Sequence, residues 1–129
     1  MKLTKNFSLS EFECKDGSAM PESVFKRIKS LSKELQKIRG YIGLPITITS
    51  SYRSLKHNRM IGSKDTSQHV KGNAADIQVK GLTPFEVYNI IEILIEDGVM
   101  SEGGLGLYNT FVHYDIRGTK ARWNKETKT

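Results

Sequence analysis

Residues 74–79 read Ala74-Ala75-Asp76-Ile77-Gln78-Val79. Successive residues of a β-strand point to opposite faces of its sheet. Ala75, Ile77 and Val79 therefore make an apolar face, while Ala74, Asp76 and Gln78 make a polar one. The same alternation recurs on both sides of this stretch. In residues 111–118, FVHYDIRG, Val112, Tyr114 and Ile116 share one face, and Phe111, His113, Asp115 and Arg117 share the other. In residues 46–53, ITITSSYR, Ile46 and Ile48 oppose Thr47, Thr49 and Ser51, and unbroken parity carries Arg53 to the polar side as well. Three such strands predict a sheet that packs helices on one face and gathers Asp76, His113 and Asp115 on the other.

The helices that cover the apolar face are legible around these strands. From Pro21 onward, Val24, Phe25, Ile28, Leu31, Leu35, Ile38 and Ile42 recur at three- and four-residue steps, with Lys and Glu between them. Pro21 suits the first turn of this helix, and Gly40 and Gly43 mark its end. A second helix is punctuated by Thr83, Pro84 and Glu86, the pattern of a capping box, and stops at Gly98. Residues 103–118, GGLGLYNTFVHYDIRG, read as a hairpin with strands near LGLY and FVHYDI and a turn at Asn109-Thr110. The expected fold class is α+β: a small antiparallel sheet with helices packed on one face and a metal site on the other. The 129 residues read as one domain, 1–129, able to bury roughly two-thirds of the unfolded chain's surface.

Residues 51–73 form a long polar connection with room for a short helix. Connections of this length in a compact domain are more often functional than slack. It carries His69, which a turn at Gly72-Asn73 can fold back toward Asp76. Two neutral imidazoles and one carboxylate, here His69, His113 and Asp76, are a three-ligand set for a catalytic zinc with one position left open. One negative charge against two positive ones leaves the ion Lewis-acidic. Taken alone, the His69 and Asp76 pair also fits a hydrogen-bonded loop in which Asp76 caps a turn. His57, in the same polar loop, is expected to be solvated, and Glu102, before a Gly-Gly turn, exposed.

Composition narrows the function classes. The single cysteine, Cys14, excludes an internal disulfide and leaves no cysteine cluster for a thiolate metal site. The first residues, MKLTKNFSLSEF, lack the apolar core of a signal peptide. The longest apolar run, IIEILI, is broken by Glu92 and is too short to span a bilayer. A soluble product made in the cytoplasm, without membrane insertion and monomeric by default, is expected. It would reach an outside target only by release or by another export route, as in phage lysis or a virion-borne enzyme. The net charge of +6 suits an anionic partner such as an acidic wall polymer. The lysines and arginines are scattered, without interleaved aromatics, which argues against a nucleic-acid partner.

In chain order, the segments SYR, SQHVKGNAAD, GGLGLY and FVHYDIRG resemble the M15 zinc peptidases, which include D-Ala-D-Ala carboxypeptidases and L-alanyl-D-glutamate endolysins. NFSLSEFECKDG near the start and ARW near the end are similar to one branch of that family. The resemblance implies a hedgehog/D-Ala-D-Ala peptidase-like fold, a Zn2+ cofactor, and hydrolysis of the stem peptides of bacterial peptidoglycan. It implies His69, Asp76 and His113 as the zinc ligands and Arg53 as the group that steadies a substrate carbonyl or carboxylate. One position departs from the pattern. An acidic general base stands three residues before the last histidine ligand in well-known members, and here that residue is Thr110. Asp115, the nearest acid, is left with two possible roles: proton acceptor in catalysis, or orienting partner of a ligand. The alternative to an enzyme is a zinc-holding module that recognises cell wall without cleaving it. Endopeptidase and carboxypeptidase action both stay open.

Overall fold

The computed structural model describes residues 1–127. A 3-10 turn at Leu9–Phe12 precedes helix α1 (Glu22–Ile42), strand β1 (Ile46–Ser50), the short helices α2 (Leu55–Met60) and α3 (Gln68–Lys71), and strand β2 (Ala74–Val79). Helix α4 (Pro84–Glu96) and strands β3 (Gly104–Leu107), β4 (Val112–Asp115) and β5 (Ala121–Asn124) complete the chain order. The strands form one five-stranded sheet in the order β1-β2-β4-β3-β5. The fold is α+β, as the alternation of the strands implies.

Parity sorts the sheet as expected. Ile48, Ile77, Val112 and Leu107 lie opposite one another across four strands, and Ala75, Tyr114 and Leu105 across three. All are buried, and they join Ile28, Leu31, Leu35 and Ile38 of α1 and Val87, Ile91 and Leu94 of α4 in one core. Each fully buried aliphatic side chain of this kind contributes about 1.5–3 kcal/mol by leaving water. Helix α4 starts with the reciprocal cap its sequence announces: the Thr83 hydroxyl accepts from the Glu86 amide, and the Glu86 carboxylate accepts from the Thr83 amide. Among the described residues no helix is long and apolar enough to cross a membrane.

Three features differ from the sequence expectation. The sheet is mixed, because β5 pairs in parallel with β3. Strand β5 has no alternating apolar pattern of its own. It is held by Arg122, which reaches Glu92 of α4, Glu102 and the carbonyl of Gly103. The long loop holds two short helices rather than one. Strand β1 does not keep its parity to Arg53: the register slips between Ile48 and Ser50, so that Ser50, not Thr49, lies opposite Asp76. A bulge of this kind inserts one residue and re-aims the side chains beyond it.

Candidate metal centre

The register of the sheet builds the centre. Asp76 and His113 are directly opposed on β2 and β4, and Ala74 is opposed to Asp115 two residues along. His69 comes from α3, which is capped by the Ser67 hydroxyl and ends at Gly72. Gly72 takes φ 82°, a left-handed conformation that a side chain would strain, and any Cβ there would also strike Val24 of α1. This tight exit sends the chain back along β2 and lays the His69 ring against His113, with ring centroids 5.1 Å apart.

Each ring has one nitrogen committed elsewhere and turns the other toward Asp76. His69 Nδ1–H donates to the carbonyl of Ser51 at 2.7 Å, which leaves Nε2 facing Asp76 Oδ1 at 3.3 Å. His113 Nε2–H donates to Asp115 Oδ2 at 2.7 Å, which turns Nδ1 toward the same Asp76 oxygen at 3.2 Å. Ligand bonds of about 2.0–2.1 Å at tetrahedral angles put donor atoms roughly 3.3 Å apart. The two histidine–aspartate spacings match this value, and the ligand atoms of His69, Asp76 and His113 all lie within 4.8 Å of one another. The donor set and its spacing therefore fit zinc.

Electrostatics arise from the same contacts. Burial raises the Asp76 carboxyl, but His113 Nδ1 and His69 Nε2, which donate to it only when they carry a proton, outweigh this and hold the group below the ordinary carboxylate range. Burial lowers His113, and Asp115 at Nε2 with Asp76 at Nδ1 more than reverse this by favouring the doubly protonated ring, whose Nδ1 proton a metal ion would replace. Asp115 is also held low: burial raises it, and His113, Arg117 and the Gly104 amide overcome that.

Asp115 is completely buried, and both its oxygens are engaged. Oδ1 accepts from the amides of Gly104 and Arg117 and from Arg117 Nε; Oδ2 accepts from Arg117 Nη2 and His113 Nε2. Arg53 reaches the centre by a route other than strand parity. Its amide donates to the carbonyl of His69, and its guanidinium contacts Ser50, Asn58 and, at 3.5 Å, the second Asp76 oxygen. Thr110 is exposed at the β3–β4 turn, where its carbonyl accepts from Gln78. Glu102 is tied to Arg122 and lies outside the centre.

The sequence reading missed two residues of this site. Trp123, on β5, packs its ring 5.0 Å from that of His113, and the Arg117 guanidinium lies over the indole at 5.4 Å. It lies across Gly106, where a Cβ would collide with the indole; likewise a Cβ at Gly104 would collide with the Asp115 carboxylate. Tyr108 stacks on Phe111, and its hydroxyl accepts from the indole N–H of Trp123 at 3.0 Å. The signal was present in GGLGLY: small residues at alternate positions mark a strand face that something else must occupy. Together these groups line a cleft of about 750 Å³ with the three candidate ligands in it.

The family model described as Peptidase M15 matches residues 5–115. The chain belongs to the M15 peptidase family. M15 peptidases are zinc enzymes, so this M15 chain is a metallopeptidase by family, and its buried His-Asp-His cluster is the candidate zinc site. Strand β5 and Trp123 lie beyond the matched residues. No curated protein gives a significant match.

Proposed function

We propose that this M15 peptidase hydrolyses peptide bonds in the stem peptides of bacterial peptidoglycan, with His69, Asp76 and His113 holding the zinc ion. The observation that carries the reading is the donor spacing of these three residues inside a cationic cleft. Arg53, Lys64, Arg117 and Lys125 line that cleft, and Asp76 is its one carboxylate among the described residues. Stem peptides are short and rich in free carboxylates, so they suit such a lining. A cleft of this size accepts a ligand of a few residues.

When bound, zinc supplies Lewis-acid polarisation of a carbonyl and makes water a better nucleophile at neutral pH. The other tasks fall to the chain. Arg53, held by Ser50 and Asn58, presents its remaining donors to the oxygen on which negative charge grows. Tyr108 accepts the indole N–H with an oxygen lone pair, so its own proton is available to a substrate group in the cleft. Asp115 keeps His113 in the tautomer whose Nδ1 lone pair faces Asp76, a positioning role. Of the two roles open for Asp115, we assign this one, because both oxygens of its carboxylate are taken.

A second reading rests on a specific observation: among the described residues the cleft has no uncommitted carboxylate to accept a proton. A zinc-holding module that binds wall peptides without cleaving them accommodates that fact directly. Mass spectrometry of muropeptides incubated with the zinc-loaded protein separates the two. Cleavage that chelator stops and zinc restores supports the peptidase, and release of free D-Ala rather than larger fragments marks a carboxypeptidase. Binding of muropeptides with every mass unchanged favours the recognition module. Cleavage surviving both His69→Ala and His113→Ala would overturn the metal reading.

A further inference from the structure

A second group of potential ligands stands apart from the cleft. The Cys14 Sγ, an Asp16 carboxylate oxygen and a His57 ring nitrogen all lie within 4.8 Å of one another. The group joins two separate segments: Cys14 and Asp16 come after the N-terminal 3-10 turn, and His57 sits in the first turn of α2. We propose that Cys14, Asp16 and His57 form a second binding site for a zinc-class divalent cation, one that pins the N-terminal segment to α2.

The chemistry of the set supports a metal over a simple polar contact. A thiolate, an imidazole and a carboxylate are the donors that borderline and soft divalent ions select, and three protein ligands leave a corner for water. Asp16 is exposed but held, its Oδ1 accepting the Ser18 amide at 2.8 Å, whereas the half-buried His57 ring has no hydrogen bond among the described residues, so rotation of the imidazole can bring the donors toward the spacing of roughly 3.3–3.8 Å that a tetrahedral site with one sulfur requires. Cys14 is buried, with 5% of its surface exposed, which suits an anchoring ligand and not an accessible nucleophile. Among the described residues neither ring nitrogen of His57 is hydrogen-bonded, so the imidazole has a lone pair to give. On metal uptake the thiol releases its proton to solvent as the metal–sulfur bond forms.

Ser54 makes the surroundings resemble the outer shell of a metal site. Its amide donates to Cys14 Sγ at 3.3 Å, and its hydroxyl donates to Asp16 Oδ2 at 2.8 Å while accepting the amide of His57. One residue thus orients all three candidate ligands. Ser54 directly succeeds Arg53 in the chain, and Asn58 of α2 accepts from the Arg53 guanidinium at 3.3 Å. A cation on Cys14, Asp16 and His57 would stiffen the segment that aims Arg53 into the cleft, without touching the cleft itself.

The full chain contains one cysteine, and the cleft centre contains none, so a sulfur-specific signal reads this site alone. The experiment is titration of the metal-free full chain with Co2+, following the near-ultraviolet thiolate-to-metal charge-transfer band, with bound metal measured by elemental analysis. Two equivalents and a clear band are expected for the parent protein. A variant carrying His69→Ala and His113→Ala should keep the band and lose one equivalent, which separates this inference from the cleft assignment. Cys14→Ser should lose the band, and His57→Ala should weaken Co2+ binding at the band at least tenfold. His57→Ala removes no hydrogen bond of the ring, so this arm stands even if Cys14→Ser does not fold. Absence of the band at saturating Co2+ overturns the proposal. So does a band whose midpoint is unchanged in both His57→Ala and Asp16→Asn.

Discussion

Asp115 Oδ2 accepts the Nε2 proton of His113 at 2.7 Å from two positions along the same strand. Residues i and i+2 share a sheet face, so this contact costs no special backbone, and it decides which nitrogen of His113 meets Asp76. Asp115→Asn tests what the contact is for. Zinc affinity should fall about 10- to 100-fold, as it does when such outer partners are removed, and turnover should return at saturating zinc. Loss of turnover with unchanged zinc affinity would instead make Asp115 the proton acceptor. Because Arg117 loses its buried partner, the variant should also be destabilised, by about 2 kcal/mol or more, in urea unfolding.

Arg53→Lys should keep zinc, because Arg53 is not a ligand. A lysine cannot reproduce the fork that reaches Ser50 and Asn58 while still offering donors to the cleft. The kcat is expected to fall about 10²- to 10³-fold, the range for loss of a donor to a developing oxyanion. Equal metal content with equal kcat would remove Arg53 from the machinery.

Gly106→Ala puts a methyl group where the Trp123 indole lies. The ring must leave His113 or the sheet must shift, at about 1–3 kcal/mol. Trp123 is the only tryptophan, so its fluorescence reports the event directly. The emission is expected to shift red in the variant.

Tyr114→Phe isolates stability from function. The Tyr114 hydroxyl donates to the carbonyl of Ser101 at 2.7 Å on the core side of the sheet, away from the ligands. Its removal leaves a carbonyl unpaired and should cost about 1–3 kcal/mol. Zinc affinity and turnover should be unchanged at a temperature where the variant stays folded.

Glu102 supplies a pH dependence. Its carboxyl is held below the usual value, first by the hydrogen bond from Arg122, with the Gly103 amide and nearby positive charges adding to it against slight burial. A carboxyl lowered on folding adds stability that is present above its unfolded pKa and is lost as pH falls through the folded one. Glu102→Gln should therefore have a lower Tm than the parent at neutral pH. The difference should shrink as pH falls below the ordinary Glu range. A Tm difference independent of pH would mean that the ion pair to Arg122 contributes nothing, as many exposed pairs do.

Much of this architecture comes from local pattern. The two-residue period of AADIQV and FVHYDI sets which side chains meet the core, and the three-to-four-residue period after Pro21 sets the helix that covers them. Those patterns put Asp76, His113 and Asp115 on one face before any contact is known. They say nothing of β5, whose residues lack alternation and whose place depends on Arg122 reaching Glu92 from thirty positions away. They also mislead at Arg53, because one inserted residue after Ile48 cancels the parity argument.

By itself the sequence determined the two faces of the sheet, the capped helices and the order of the chemical groups along the chain, since each depends on neighbours a few residues apart. Only the tertiary structure decided the register that sets Asp76 against His113, the ring nitrogen each histidine turns inward, and the saturation of Asp115. It also brought Trp123 onto His113 and His57 beside Cys14. The physical reason is range: periodicity is written in successive dihedral angles, whereas hydrogen-bond partners and ring contacts depend on how distant segments are docked.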